Sequence, residues 1–99
     1  MKHVTVNKQK LAVRFNFNSL REWEKLTGKN AMDLMSGNIA KMNLDETITL
    51  AYVGIKEAGG TLTLDEVARG FNGKSFGQLF DGLIDDMKSL VGEDEEGGK

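Results

Sequence analysis

The hydrophobic pattern changes its period between residues 11 and 30, and this change constrains the fold more than any other feature. At first apolar residues take every second position, as in a strand that buries one face. These positions are Leu11, Val13, Phe15 and Phe17. Helical spacing then takes over at Leu20, Trp23 and Leu26. The segment therefore predicts a strand that leads directly into an amphipathic helix.

Polar residues mark both ends of this predicted helix. Ser19 is followed three residues later by Glu22, which is the spacing of a capping box at a helix start. Gly28 stands where a left-handed C-cap would end the helix. We therefore expect Trp23, in the middle of the apolar stripe, to be buried.

Two valines upstream predict that the strand belongs to a β-hairpin. Val4 and Val6 can pair with Val13 and Leu11 across a loop of residues 7–10, which places all four side chains on one face. A two-stranded hairpin is marginal by itself in water. The helices that follow must therefore cover this face.

Two more capping boxes predict the next helices. Asn43 with Glu46 begins the longest helical pattern, and Thr63 with Glu66 begins a short helix from Leu64 to about Gly70. The clear periodicity of the longer helix suggests a central position in the fold. Its predicted buried stripe comprises Leu44, Ile48, Ala51, Tyr52 and Ile55.

A final helix is predicted from about Ser75 to Val91, with Ser75 and Gln78 as its capping box. Gly77 and Gly82 each weaken a helix by roughly 0.5–1 kcal/mol relative to alanine. We therefore expect close packing against another element at both glycines. With the hairpin, the helices define an α+β fold, mainly α, in which an N-terminal hairpin packs on a bundle of about five helices.

Length and composition place this fold in one domain. Residues 1–92 are expected to form a single globular domain and residues 93–99 a disordered acidic tail. The chain has no cysteine, so it can form neither a disulfide nor a thiolate metal site. No segment approaches the roughly 20 apolar residues that span a bilayer. These properties predict a cytoplasmic protein that does not enter a membrane.

Charge is divided unevenly along the chain, although the net charge is only −2. Residues 1–30 carry seven basic side chains against two acidic ones, and acidic residues dominate afterwards. One interpretation is a solvated surface followed by a disordered tail. The other is a basic hairpin, with Lys8, Lys10 and Arg14, that attracts an acidic partner.

Motifs for catalysis or metal binding are weak. Gly73-Lys74-Ser75 resembles the end of a phosphate-binding loop, but residue 68, where the first glycine would stand, is alanine. Asp81 and Asp85 lie four residues apart and are best read as a solvated stripe. The sequence therefore predicts no enzyme, no cofactor and no metal.

The segment from residue 30 to residue 42 combines little regular structure with three methionines. Asn30 is expected to cap a short helix that runs to Ser36 and ends at Gly37. Methionine is an ordinary core residue, yet its flexible thioether also suits surfaces that adapt to a partner. The candidate partner-binding residues are Met32, Leu34, Met35 and Met42, together with Lys8, Lys10 and Arg14.

From about Val4 to Asp86 the chain resembles the tail assembly chaperones of long-tailed bacteriophages. The resemblance rests on the hairpin, the helix LREWEKLTGK and the block LDETITLAYVGIKEAGGTLTLDEVARGF, in this order. It implies a non-enzymatic protein of the host cell cytoplasm, absent from the mature virion. Such a protein keeps the tape measure protein soluble while the tail tube assembles.

The resemblance also suggests a programmed frameshift at residues 97–99. These residues, Gly-Gly-Lys, can be encoded by a slippery heptamer of nucleotides. A longer frameshifted form would then recruit the tail tube protein. Two alternatives stay open: a structural head–tail connector or minor tail component, and a small regulatory or nucleic-acid-binding domain. The acidic net charge and the lack of a basic recognition helix argue against nucleic acid.

Overall fold

The computed structural model describes residues 2–36 and 41–90. Within these residues an antiparallel two-stranded hairpin precedes five helices, which confirms the predicted mainly α fold of the α+β class. The elements are β1 Lys2–Val6, β2 Gln9–Val13, α1 Phe17–Thr27, α2 Met32–Met35, α3 Leu44–Glu57, α4 Leu64–Gly70 and α5 Gly73–Leu90. None of the described helices is long and apolar enough to cross a membrane. The predictions for Gly37, Val91 and the acidic tail lie outside the described residues.

The hairpin turn is shorter than predicted, and this changes the register. Asn7 and Lys8 both have positive φ, at 53° and 68°, as a two-residue type I′ turn requires. Val4 therefore pairs with Leu11, and Val6 pairs with Gln9. The predicted partners are wrong by two residues, because the prediction assigns four residues to the turn. A shift of two preserves the face, so the valines are still buried.

Helix α1 begins earlier than the capping prediction placed it. Asn16 is the N-cap: its side chain accepts from the Ser19 amide at 3.0 Å, and Ser19 Oγ accepts from the Asn16 amide at 2.9 Å. Ser19 is thus the N3 residue of the box and not its cap. Strand alternation consequently ends at Phe15, which is buried, and Phe17 is the first helical residue. The predicted C-cap Gly28 is confirmed, with φ 75°.

Helix α5 begins with the same kind of box, again one turn before the prediction. Asn72 Oδ1 accepts from the Ser75 amide, and Ser75 Oγ accepts from the Asn72 amide, both at 3.1 Å. Gln78 is therefore not part of a cap. Its Oε1 accepts from the Thr5 amide at 2.7 Å, so α5 is attached to β1.

Helix α3 lies at the centre of the fold, in contact with α1, β2 and α4. Both predicted capping boxes, at its start and at the start of α4, are confirmed. Its buried face includes Thr47, Leu50 and Gly54, whereas Leu44 is 61% exposed. The predicted stripe is therefore wrong at Leu44. A purely hydrophobic pattern misses small residues and threonines that admit close neighbours.

Trp23 anchors α1 against α3. Its side chain is 2% exposed, which confirms the predicted burial, and its Nε1 donates to the Glu46 carbonyl at 2.9 Å. A buried indole usually pairs its N–H in this way. The bond aligns α1 with the first turn of α3.

The two glycines of α5 differ. A Cβ built on Gly82 would lie 3.2 Å from Lys2 Cβ and 3.4 Å from Val13 Cγ2, so the predicted close packing is confirmed there. A Cβ built on Gly77 meets no neighbouring element within 4 Å among the described residues. The expectation of close packing was therefore wrong at Gly77.

Candidate binding surface

The structure divides the candidate partner-binding residues among three places. Met32 and Met35 face a cleft between α1 and α2, whereas Met42 lines a separate cavity on the other side of α2. The basic candidates, Lys8, Lys10 and Arg14, are exposed on the hairpin. The two cavities share no lining residue.

The α1–α2 cleft is a shallow cavity of about 140 Å³. Phe17 and Met32 stand at its rim with 59% and 62% of their surface exposed, although both are large apolar side chains. Leu20 and Ala31 are buried and form its floor. The lining residues are Phe17, Leu20, Arg21, Glu24, Ala31, Met32 and Met35.

Local hydrogen bonds hold α2 against α1. Gly28 adopts the left-handed conformation that lets the chain turn back at the end of α1. Glu24 Oε2 then accepts from the Ala31 amide at 2.8 Å, and Asn30 Oδ1 accepts from the Met32 amide at 2.9 Å. Because α2 has only one turn, these bonds and its buried residues, rather than helix propensity, keep Met32 at the cleft that Phe17 also lines.

Leu34 needs a correction as a partner-binding candidate. Its side chain is 2% exposed and belongs to the core, so it offers a partner almost no surface, although it is among the residues lining the cavity that contains Met42. Met35 is half-buried and packs against the same core. Among the residues of α2, only Met32 combines a large apolar side chain with high exposure, at 62%.

The cavity behind α2 has a volume of about 280 Å³ and a mixed lining. Lys29 Nζ lies 3.6 Å from Glu46 Oε2, and Asp33 and Lys41 add one charge of each sign. This near balance gives the cavity no clear preference for an anion or a cation. Met42 contributes to its apolar part.

Electrostatic contacts also join the start of α1 to the end of α3. Asn16 Nδ2 and Asn18 Nδ2 donate to the two carboxylate oxygens of Glu57, at 2.9 and 3.0 Å. The bond from Asn16 and then that from Asn18 lower the pKa of Glu57, and the positive charge of Arg14 adds to the effect. The hydrogen bond and charge of Glu22 raise the pKa of Lys56, whose Nζ lies 2.7 Å from Glu22 Oε2.

The described residues contain no group of three or more histidines, aspartates or glutamates placed to hold a metal ion. Asp86, one of the acidic residues of α5, instead accepts from the Phe15 amide at 2.8 Å. Every buried side-chain nitrogen or oxygen in this part of the chain has a hydrogen-bond partner.

Phe17 is the surface residue that sequence reasoning missed. The alternating pattern assigned it to a strand, whereas the Asn16–Ser19 box makes it the first helical residue. An asparagine followed three residues later by serine was the available signal.

Comparison with known proteins does not assign the chain to a family. No protein-family profile matches it, and no curated protein or solved structure matches it either.

Proposed function

We propose that the chain is a tail assembly chaperone of a long-tailed phage, acting without catalysis in the host cytoplasm. In this role the α1–α2 cleft binds an apolar helical segment of the tape measure protein. The observation that carries the proposal is that Phe17 and Met32, both largely exposed, line one cleft above buried Leu20 and Ala31. The resemblance of the ordered chain to such chaperones supplies the identity of the client.

The size of the cleft favours a protein client over a metabolite. Small-molecule sites usually enclose about 300–1,000 Å³, whereas this cleft encloses about 140 Å³. One large apolar side chain of a docked helix is the better fit. In the helix-in-groove mode, such an anchor inserts while neighbouring turns of the client cover the rim, here Phe17 and Met32.

Methionine also suits the proposed client. A tape measure protein would present many different apolar stretches, and a flexible thioether adapts to side chains of different shape. Met32 is free to do so because its side chain is largely in solvent while its backbone is tied to Asn30.

Co-expression with tape measure fragments tests the proposal. Phe17→Asp combined with Met32→Asp places charge at the rim without touching the floor, and should send the fragments into the insoluble fraction. The matched control is Leu44→Asp, because Leu44 is equally exposed at 61% and stands at the start of α3, where an acid is favourable.

The control should protect the fragments as well as the parent does. Circular dichroism and Trp23 emission must show that all variants stay folded. Equal protection by the rim variant and the parent would contradict the proposed site. Failure of the parent itself to protect any fragment would contradict the proposed function.

Purified particles provide a second test. An assembly chaperone should be absent from virions, whereas a head–tail connector or minor tail component would be found in them by mass spectrometry. In infected cells, a longer frameshifted product would be the form that recruits the tail tube protein.

A further inference from the structure

The two outer edges of the hairpin differ in the hydrogen bonds that the rest of the fold makes to their backbone groups. On β1, the Thr5 amide donates to Gln78 Oε1, and the Thr5 carbonyl accepts from Ser75 Oγ. At the turn, the Asn7 amide donates to the Gly70 carbonyl at 3.0 Å. Helices α4 and α5 thus satisfy the outward backbone groups of Thr5 and Asn7.

On β2, α3 contacts the strand, but no described group bonds the outward backbone groups at its centre. Residues next to a two-residue turn form a hydrogen-bonded pair, so with Val6 opposite Gln9 the outward groups belong to Lys10 and Ala12. Among the described residues, no backbone or side-chain group pairs with these outward amides and carbonyls. We call them the open edge. Arg14 bounds it, because its amide donates to the Gly54 carbonyl at 3.0 Å.

Unpaired strand edges bind extended segments by adding a strand to the sheet. The side chains beside the open edge determine which kind of segment can bind there. Lys10 and Arg14 lie on the solvent face, and half-buried Leu11 lies on the core face. An added strand would therefore place acidic residues on one face and apolar residues on the other.

A second copy of this chain is a poor occupant. Antiparallel pairing of two β2 strands would set Lys10 and Arg14 of one copy close to the same cations of the other, and like charges across strands destabilise a sheet. The positive charge instead complements an acidic segment. The basic hairpin has no part in the proposed cleft, so this surface is independent of the tape measure site.

We propose that the open edge of β2 binds, as an added strand, an extended segment of another protein in which acidic and apolar residues alternate. Backbone bonds to Lys10 and Ala12 supply the pairing. Lys10 and Arg14 select the acidic face, and Leu11 contacts the apolar one. Binding through these cations should weaken with added salt.

Amide hydrogen exchange tests the open edge in the free protein. The amides of Lys10 and Ala12 should exchange faster than those of Leu11 and Val13, which face β1. A short blocked peptide in which glutamate and valine alternate serves as the probe. Its binding should slow exchange at Lys10 and Ala12 and leave the amide of Thr5 unchanged.

Two variants separate backbone pairing from charge. Ala12→Pro removes an outward N–H but no bond of the hairpin, and should weaken peptide binding about fivefold, the worth of one hydrogen bond. Lys10→Glu should weaken it about tenfold. Lys74→Glu makes the same charge change at the exposed start of α5 and should have no effect. Trp23 emission verifies that each variant is folded.

Other outcomes would overturn the proposal. Equal binding of a peptide with the same residues in two blocks would show that charge alone attracts the segment. Peptide-independent dimerisation, with protection of Lys10 and Ala12, would make a second copy the occupant. Replacing Glu93, Asp94, Glu95 and Glu96 by their amides tests the chain's own acidic tail. A tenfold gain in peptide affinity in that variant would identify the tail as the occupant.

Discussion

Gly54 and Gly77 allow the packing of the fold to be tested by the same small change at two helical sites. Both lie inside helices, so alanine gains about 0.5–1 kcal/mol of helix propensity at either position. At Gly54, however, the new Cβ would lie 2.6 Å from Cε1 and Cζ of Phe15. At Gly77 it would meet no neighbouring element among the described residues.

The two substitutions should therefore change stability in opposite directions. Phe15 is 2% exposed and has no room to withdraw, so Gly54→Ala carries an overpacking cost of about 1–3 kcal/mol. The propensity gains cancel between the variants, so their free energies of unfolding should differ by that cost. Gly77→Ala alone should stabilise the protein by about 0.5–1 kcal/mol.

Urea denaturation followed by circular dichroism measures both values. The slope with denaturant should be the same for the two variants and the parent, so that the midpoints report stability alone. If Gly54→Ala is as stable as Gly77→Ala, then Phe15 does not pack on α3 as the structure describes.

Further substitutions test the other contacts that hold the fold together. Trp23→Ala should lower the free energy of unfolding by about 3–5 kcal/mol in urea denaturation, and the parent should show the blue-shifted emission of a buried indole. Gly70→Ala should lower it by about 1–3 kcal/mol, because the Cβ would lie 2.6 Å from the Asn7 nitrogen. The pKa of Glu57 is lowered in the folded state, so its stabilisation is present above the ordinary value of 4.5 and disappears as the pH falls through the lowered value. Melting temperatures of the parent and Glu57→Gln should therefore differ at neutral pH and converge in acid.

Most of the fold could be predicted because its local signals agree with one another. The change of period between residues 11 and 30 predicts a strand followed by a helix, and the boxes at Asn43 and Thr63 and the C-cap Gly28 predict element boundaries, all of which the structure has. These features depend on neighbours within one or two turns of the same chain. Sequence patterns report such local relations well.

The two capping errors arose where two local signals competed. Ser19 and Ser75 were each interpreted as a cap, yet in both helices an asparagine three residues earlier is the cap. The serine Oγ then accepts from the backbone amide of the asparagine. A search for serine followed three residues later by glutamate or glutamine does not detect this role. The consequence at α1 was large, because it moved Phe17 from a strand face to the rim of the α1–α2 cleft.

The candidate site was harder to predict than the fold, because exposure is a tertiary property. The spacing of Met32 and Leu34 cannot show which one faces the core, since a helix of a single turn has no long periodicity. Burial of Leu34 leaves Met32 outside. The packing of α2 on α1 therefore determines that Leu34 is buried and that Met32 stays on the surface.

Long-range polar contacts determine which surfaces of the hairpin stay available. Ser75 and Gln78 are seventy or more residues from Thr5, yet their side chains bond both backbone groups of that residue. The bond from Phe15 to Asp86 joins the end of the hairpin to the same helix. Because α5 lies along β1, it bonds the outer edge of that strand, whereas on β2 the only outward group bonded among those described is the Arg14 amide, which donates to α3. Side chains in the last third of the chain thus determine which edge of the basic hairpin stays available to a partner.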